Sequence, residues 1–284
     1  MNVAARSTVQ RAFNRDSVLA LLQEAARADA TDLHFKVPCP PMMRVGGTLR
    51  RLGDLVLTAH DTLDVAMSLA NLAGIEIVLR DEVEFAFGIP KLGRFRANIY
   101  RQRGSHAVVL HRVRIHPPSL EELGAPPALI DVLARPGLTL VAGPNQTGLL
   151  HALVRSYNAI MSGHLVLVES PITFLHRDDR AVISHREVGQ DTIDFPTAIR
   201  RAVRAAADQL VVGDVPDPNT AEALLDAAES GLCVLVAVRA PGVEVAPEWF
   251  LRQFAGDRHE EASGRLKRVL RTCVSLPAST VRES

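Results

Sequence analysis

Residues 138–151 read LTLVAGPNQTGLLH, and this stretch decides the fold. An apolar run at 138–142 is followed by Gly143 and Pro144, then by Gly148 and a resumed apolar pattern. The layout is typical of a buried strand, a glycine-bearing turn and a helix. Turns of this kind bind anions in α/β proteins, because backbone N–H groups and the helix N-terminus point at the ligand.

The side chains of the turn do not match its outline. A complete phosphate loop reads G-x-x-x-x-G-K-[ST], in which the lysine reaches the phosphates and the hydroxyl holds Mg²⁺. Gly143 and Gly148 keep that spacing, but Leu149 and Leu150 stand at the positions of the lysine and the hydroxyl. Taken alone, the stretch fits both a decayed phosphate loop and an ordinary tight turn between a strand and a helix.

The same kind of pattern continues along the rest of the chain. Further apolar runs occur at 165–168, 209–213 and 233–238, and helical stretches at 149–161 and 220–230 separate them. Continuous apolar runs that alternate with helices indicate strands buried on both faces of a largely parallel sheet. The sequence therefore predicts an α/β fold for this part of the chain.

The N-terminal part has a different pattern. A helix is predicted at 17–29, with Asp16 or Ser17 as its N-cap. Alternating apolar and polar segments then predict an antiparallel sheet, at 32–37, 41–52, 84–89, 94–104 and 105–115. A proline-rich connector, HPPSLEELGAPP, follows at 116–127. We predict an N-terminal α+β domain at 1–115, a linker at 116–136 and an α/β core at 137–284.

Composition limits the partners. The chain has 284 residues, of which 47% are hydrophobic, and its 32 basic and 32 acidic residues balance. The even charge gives no support for a nucleic-acid partner. The N-terminus lacks a signal-peptide core, and no apolar run approaches the roughly 20 residues of a membrane span. We expect a cytoplasmic protein without membrane insertion, and no metal site, since the ten histidines show no zinc-ligand spacing.

Several segments, in a fixed order, resemble one known family. They are ATDLHFKVPCPPMMRVGGTLRRL, DEVEFAFGIPKLGRFRANIYRQRGSHAVVLHRV, LVLVESPITFLH, ISHREVGQDTIDFPTAIRRAVR and VVGDVPDPNTAEALLDAAESG. From about residue 16 to 276 the chain resembles the type IV pilus retraction ATPases, the PilT-like branch of the type II/type IV secretion ATPases. The resemblance implies a PAS-like N-terminal domain followed by a RecA-like P-loop core.

The resemblance also implies an assembly and its ligands. Members of this family form hexameric rings that bind ATP and Mg, and they work on a platform protein in the inner membrane. We therefore expect this chain to assemble with itself or with an active paralogous ATPase, at the inner face of the cytoplasmic membrane. The implied nucleotide-binding positions are Gly143, Pro144, Asn145, Gln146, Thr147, Gly148, Leu149 and Leu150.

The differences from the family concentrate at the chemistry of the site. In the loop, Gln146 replaces a glycine that lets the backbone approach phosphate closely, in addition to the two leucines. In the acidic segment, Ser170 replaces an aspartate and Thr173 replaces the glutamate that activates water, whereas Glu169 is retained. The next acidic position keeps a carboxylate as Asp214, and Arg239 stands where a histidine is expected.

Arginines are retained in two segments. The first segment forms the arginine-bearing strands of the family, and the second is a helix on which two arginines share a face. Either set could act on a neighbouring subunit's nucleotide, or could be a solvated surface. The candidates are Arg94, Arg96, Arg101, Arg103, Arg200 and Arg204.

The losses together remove phosphate neutralisation, metal binding and water activation. We therefore expect a catalytically impaired subunit or regulator of a pilus motor, with negligible ATP hydrolysis of its own and weak or absent binding of ATP and Mg. The alternatives are an active ATPase with unusual phosphate-loop chemistry and a repurposed interaction protein. At the C-terminus, RLKRVLRTCVSLPAST resembles the penultimate helix of the family, and the family's helical extension has no counterpart.

Overall fold

The computed structural model of the chain describes residues 13–78, 82–90, 92–113, 117–256 and 258–276. The described residues form two compact units, one that includes residues through Val113 and one that begins at Pro117. Each unit has its own hydrophobic core. No helix within the described ranges is both long and apolar enough to cross a membrane.

The first unit is an antiparallel sheet with two helices. The order of its elements is α1 (Arg15–Arg27), β1 (Asp32–Phe35), β2 (Met42–Val45), β3 (Thr48–Arg51), α2 (Ala59–Ala73), β4 (Val83–Ile89), β5 (Gly93–Gln102) and β6 (Ser105–Val113). The strands pair in the order β3-β2-β1-β6-β5-β4. The predicted antiparallel sheet is confirmed.

Helix α1 begins earlier than predicted. Its N-cap is Asn14, whose side-chain oxygen accepts hydrogen bonds from the backbone N–H groups of Asp16 and Ser17 at 3.1 and 3.0 Å. The prediction of Asp16 or Ser17 as the N-cap is therefore wrong, because both residues donate from the first turn.

Helix α2 was not predicted. Thr58 caps it, since the Thr58 hydroxyl accepts from the Asp61 N–H at 3.3 Å and the Asp61 carboxylate accepts from the Thr58 N–H at 2.7 Å. This reciprocal capping box has a sequence signal, a threonine followed three residues later by an acidic residue. The helix ends at Gly74, whose φ of 68° suits glycine.

The second unit begins with a short 3₁₀ helix at Pro127–Leu133 and continues through a parallel sheet and its helices. The order is β7 (Gly137–Val141), α3 (Gln146–Ile160), β8 (Gly163–Glu169), β9 (Ala181–Glu187), α4 (Phe195–Arg204), β10 (Gln209–Val212), α5 (Pro218–Glu229), β11 (Cys233–Ala237), α6 (Ala246–Leu251), α7 (Arg258–Val269) and β12 (Leu270–Val274).

All pairs of neighbouring strands in the second sheet are parallel, in the order β12-β7-β11-β10-β8-β9. Alternate residues of the strands pack into two separate cores, one on each face. Leu138 and Leu140 of β7 belong to the core with α4 and α5, whereas Val141 belongs to the core with α3. The predicted parallel sheet buried on both faces is confirmed.

The two edge strands of this sheet differ from the prediction. Strand β9, AVISHRE, was not predicted, because its polar and partly exposed pattern lacks the apolar run of a central strand. The segment RLKRVLRTCVSLPAST was expected to be a helix, which is wrong beyond Val269. Leu270–Val274 instead forms β12 and pairs with β7, and residues 277–280 lie outside the described part of the chain.

Candidate functional site

The phosphate-loop-like turn joins β7 to α3. Gly143 has a φ of 95°, a conformation that favours glycine, and α3 begins at Gln146. The side chain of Asn145 folds over Gly148, because a Cβ added to Gly148 would lie 2.5 Å from the Asn145 Oδ1. The segment therefore has the predicted order of strand, turn and helix. The Asn145 side chain packs against Gly148, the second glycine of the turn.

Leu149 and Leu150 are completely buried. Both have 0% exposure and belong to the core on the α3 face of the sheet, which also includes Val141, Leu153 and Leu167. Neither residue is among those that line the cavity beside the turn. At these two positions the loop contributes apolar packing to the core.

A cavity of about 260 Å³ lies at the carboxyl ends of β8, β10 and β11, beside the first turn of α3. The carboxyl ends of parallel strands are the usual ligand-binding edge of an open α/β sheet. The cavity brings together seven of the predicted positions or substitutions, and these are Gln146, Thr147, Glu169, Ser170, Thr173, Asp214 and Arg239.

Asp214 and Arg239 form an ion pair in the wall of this cavity. The Arg239 Nη2 donates to the Asp214 Oδ2 at 2.6 Å, and the Val215 N–H donates to the Asp214 Oδ1 at 2.9 Å. The Arg239 side chain is 71% exposed and that of Asp214 is 20% exposed. Arg239, which was predicted to stand at the position of a histidine, is thus bound to the carboxylate that follows the neighbouring strand β10.

Glu169 is hydrogen-bonded to a buried histidine, His151, which was not predicted as a site residue. The Glu169 Oε1 lies 3.0 Å from the His151 Nε2 and accepts from the Thr173 N–H at 3.2 Å. The His151 Nδ1 lies 2.9 Å from the Nε2 of His176. Exposure is 0% for His151 and 2% for Glu169, so the pair lies inside the fold. The available signal was a histidine within the apolar start of α3.

The histidine cluster extends beyond this pair. The rings of His176 and His185 stack with their centroids 5.9 Å apart, and His151 also packs against Phe174 at 4.7 Å. Burial, together with the neighbouring His151, His185 and Arg155, lowers the pKa of His176 to about 3. This imidazole is therefore neutral in the folded chain at physiological pH.

The predicted arginines are not among the residues that line the cavity. Arg94, Arg96 and Arg101 lie on β5 of the first unit, where Arg96 forms an ion pair with Glu84. The prediction that Arg103 lies in a strand is wrong, because β5 ends at Gln102 and Arg103 lies in the turn that follows, with a φ of 50°. The remaining two, Arg200 and Arg204, are exposed on α4 of the second unit.

Within the described ranges, no group of three or more His, Cys, Asp or Glu side chains has an arrangement that could hold a metal ion. The close approach of His151, His176 and Glu169 is a set of hydrogen bonds between the side chains.

The family described as "Type II/IV secretion system protein" matches residues 104–250, which is about half of the chain and includes the cavity. The chain belongs to this family. Within it, the chain is 30% identical over 264 residues to the twitching motility protein of Neisseria gonorrhoeae, covering 91% of this chain and 71% of that one. It is also 33% identical over 221 residues to the type IV pilus retraction ATPase PilT of Pseudomonas aeruginosa.

That second match covers 75% of this chain and only 64% of the Pseudomonas protein. Among solved structures, the fold is similar to that of the pilus retraction motor PilT with bound ADP. The TM-score is 0.79 at 26% identity, and the match covers 90% of this chain and 77% of the other. The RecA-like core with a preceding α+β domain, which the sequence predicted, is confirmed by this likeness.

Proposed function

We propose that this member of the family is a PilT-like protein of the type IV pilus and twitching-motility machinery, with negligible ATP hydrolysis of its own. In this role it is a pseudo-ATPase subunit or regulator of the motor. The two named relatives and the PilT structure support the assignment to the pilus machinery. The absent hydrolysis is inferred from the residues of the site.

One observation carries the loss of catalysis, namely the complete burial of Leu149 and Leu150. The loop then has neither the lysine that neutralises phosphate nor the hydroxyl that holds the metal. Thr173 cannot act as the general base that a glutamate would provide. Removing one such group typically costs about two to three orders of magnitude in rate, although the costs of several are not additive.

The proposal includes the assembly and its location. We infer a cytoplasmic protein at the inner face of the membrane, in a hexameric ring with itself or with an intact paralogous ATPase. The ring would engage the pilus platform protein. ATP is the ligand implied for the cavity, and we expect its binding to be weak or absent, since apolar side chains replace the groups that contact the triphosphate.

The test is ATP turnover by the purified full-length chain in the presence of Mg²⁺. We expect release of phosphate at the level of the buffer alone. A complete PilT-like ATPase, assayed in parallel, controls for the conditions. Turnover comparable to that of the complete enzyme would favour the alternative of an active ATPase with unusual loop chemistry. In the same buffer, isothermal titration that gave micromolar affinity for Mg·ATP would contradict the expected weak binding.

A further inference from the structure

Magnesium is the cation that the family resemblance implies for this cavity, and the residues present do not fit it. Mg²⁺ requires oxygen ligands in near-octahedral geometry and is held in nucleotide sites by hydroxyl or carboxylate groups together with phosphates. Leu150, at the position of the hydroxyl, is apolar and has 0% exposure. The carboxylates that line the cavity belong to Glu169 and Asp214, so their hydrogen bonds decide whether a cation can be held.

Both oxygens of Asp214 are already engaged by the chain. One accepts from the Val215 N–H at 2.9 Å, and the other accepts from the Arg239 guanidinium at 2.6 Å. Arg239 lines the same cavity. A divalent cation bound to Asp214 would therefore lie beside a fixed positive charge, and the repulsion between them opposes its binding.

Glu169 is hydrogen-bonded to two other groups of the chain, the His151 ring and the Thr173 N–H. A proton on the His151 Nε2 satisfies both of its contacts, since the ring then donates to the Glu169 Oε1 and its Nδ1 accepts from the Nε2–H of His176. The Glu169 Oε1 also accepts from the Thr173 N–H. The Glu169 Oε2 has no hydrogen-bond partner among the described residues, but it is buried from solvent, so a hydrated cation has no access to it.

We infer that two side chains of the protein itself, Arg239 and His151, close this cavity to divalent cations. Arg239 holds Asp214, and His151 positions Glu169, so each carboxylate that lines the cavity is paired within the fold. The inference rests on the proposed function, because it explains why that site no longer supports hydrolysis. It also assigns a role to His151, which lies on α3 directly after the last position of the phosphate-loop motif.

The first experiment measures Mn²⁺ binding, as a probe for Mg²⁺, by electron paramagnetic resonance on the full chain without nucleotide. We expect the wild type to show no site that depends on Asp214. The variant Arg239→Ala should acquire one, with an affinity at least about tenfold above that of the wild type. Arg239 is largely exposed, so its replacement leaves the core intact.

The matched control is the double variant Arg239→Ala/Asp214→Asn, in which the acquired site should disappear. The inference is overturned if wild-type protein binds Mn²⁺ and Asp214→Asn abolishes that binding. It is equally overturned if Arg239→Ala binds no more Mn²⁺ than the wild type. Because no ATP is present, these outcomes are independent of the turnover assay that tests the proposed function.

The second experiment tests His151 without replacing it. Long-range ¹H–¹⁵N spectra distinguish the two tautomers of a histidine ring, and the ten histidines can be assigned through the backbone. We expect His151 to carry its proton on Nε2, and to change its ring ¹⁵N shifts in Glu169→Gln. A ring protonated on Nδ1 alone would donate to His176 and leave Glu169 unpaired, which would overturn the role assigned to His151.

Discussion

The neutral state of His176 links the stability of the fold to pH. Burial and three nearby basic groups lower its pKa to about 3 in the folded chain, whereas an unperturbed histidine titrates near 6.5. Between these two values the unfolded chain binds a proton that the folded chain does not. The contribution of His176 to stability is therefore full above about pH 6.5 and declines as the pH falls toward 3.

We predict that the difference in unfolding free energy between wild type and His176→Gln changes with pH. From pH 7 to pH 4.5 it should shift by about 2–3 kcal/mol against the wild type, because two pH units lie within the window and each corresponds to about 1.4 kcal/mol. Urea unfolding at both pH values gives the difference, in which the titrating groups remote from His176 cancel. Parallel pH profiles for the two proteins would contradict the pKa shift.

At the residue scale, the sequence predicted several of the residues that line the cavity. The family motifs placed Glu169, Asp214 and Arg239, and all three line the cavity. The ion pair between Asp214 and Arg239 and the role of His151 could not be predicted. These contacts join residues 25 and 18 positions apart, and only the pairing of neighbouring strands and the packing of α3 bring them together.

At the scale of elements, β7, the turn and α3 have the backbone outline of a phosphate loop, whereas Leu149 and Leu150 pack in the core. Leu149 and Leu150 pack beneath the sheet, where a buried leucine typically stabilises a protein by about 2–5 kcal/mol relative to alanine. The packing that holds α3 against the sheet therefore depends on the two residues that stand at the lysine and hydroxyl positions of the phosphate-loop motif.

We predict that Leu149→Lys destabilises the chain by about 2–5 kcal/mol, because the ammonium group would enter an apolar core without a partner. Leu149→Met is the matched control and should cost less than about 1.5 kcal/mol, since it conserves volume and polarity. Denaturant unfolding of both variants measures the costs. Equal stability of the two would mean that the lysine reaches the cavity, as it does in a working phosphate loop.

Elements with a continuous apolar run were predictable from the sequence, and elements without such a run were not. The four central strands of the parallel sheet are continuous apolar runs, because helices cover both of their faces. The edge strands β9 and β12 carry polar residues, so neither has such a run. Helix α2 follows segments with an alternating pattern and was not predicted, although the sequence contains its capping box at 58–61.

At the scale of the whole molecule, the order of the apolar patterns along the chain predicted the fold class. An antiparallel sheet followed by a parallel one was predictable from the switch between alternating and continuous apolar patterns. Family membership came from motifs spread over nearly the whole chain, and the match at residues 104–250 supports it. Assembly could not be predicted from these patterns, because it depends on surfaces that face another subunit.

We predict that the full chain associates with an intact PilT-like ATPase when the two are co-expressed. The intact subunits would bring the nucleotide that this chain is expected to bind weakly, so the mixed assembly should form more readily with ATP than without it. Affinity purification through a tag on one chain, with and without nucleotide, measures the association. Failure to co-purify under both conditions would favour the alternative of a repurposed interaction protein.

The burial of Leu149 and Leu150 also has an evolutionary consequence. On the proposed function, a single substitution to lysine or serine would cost stability and restore no activity, because Thr173, His151 and Arg239 would still oppose the chemistry. Recovery of ATP hydrolysis would then require several simultaneous substitutions, with no gain at the intermediate steps. We therefore expect that no single mutation restores catalysis.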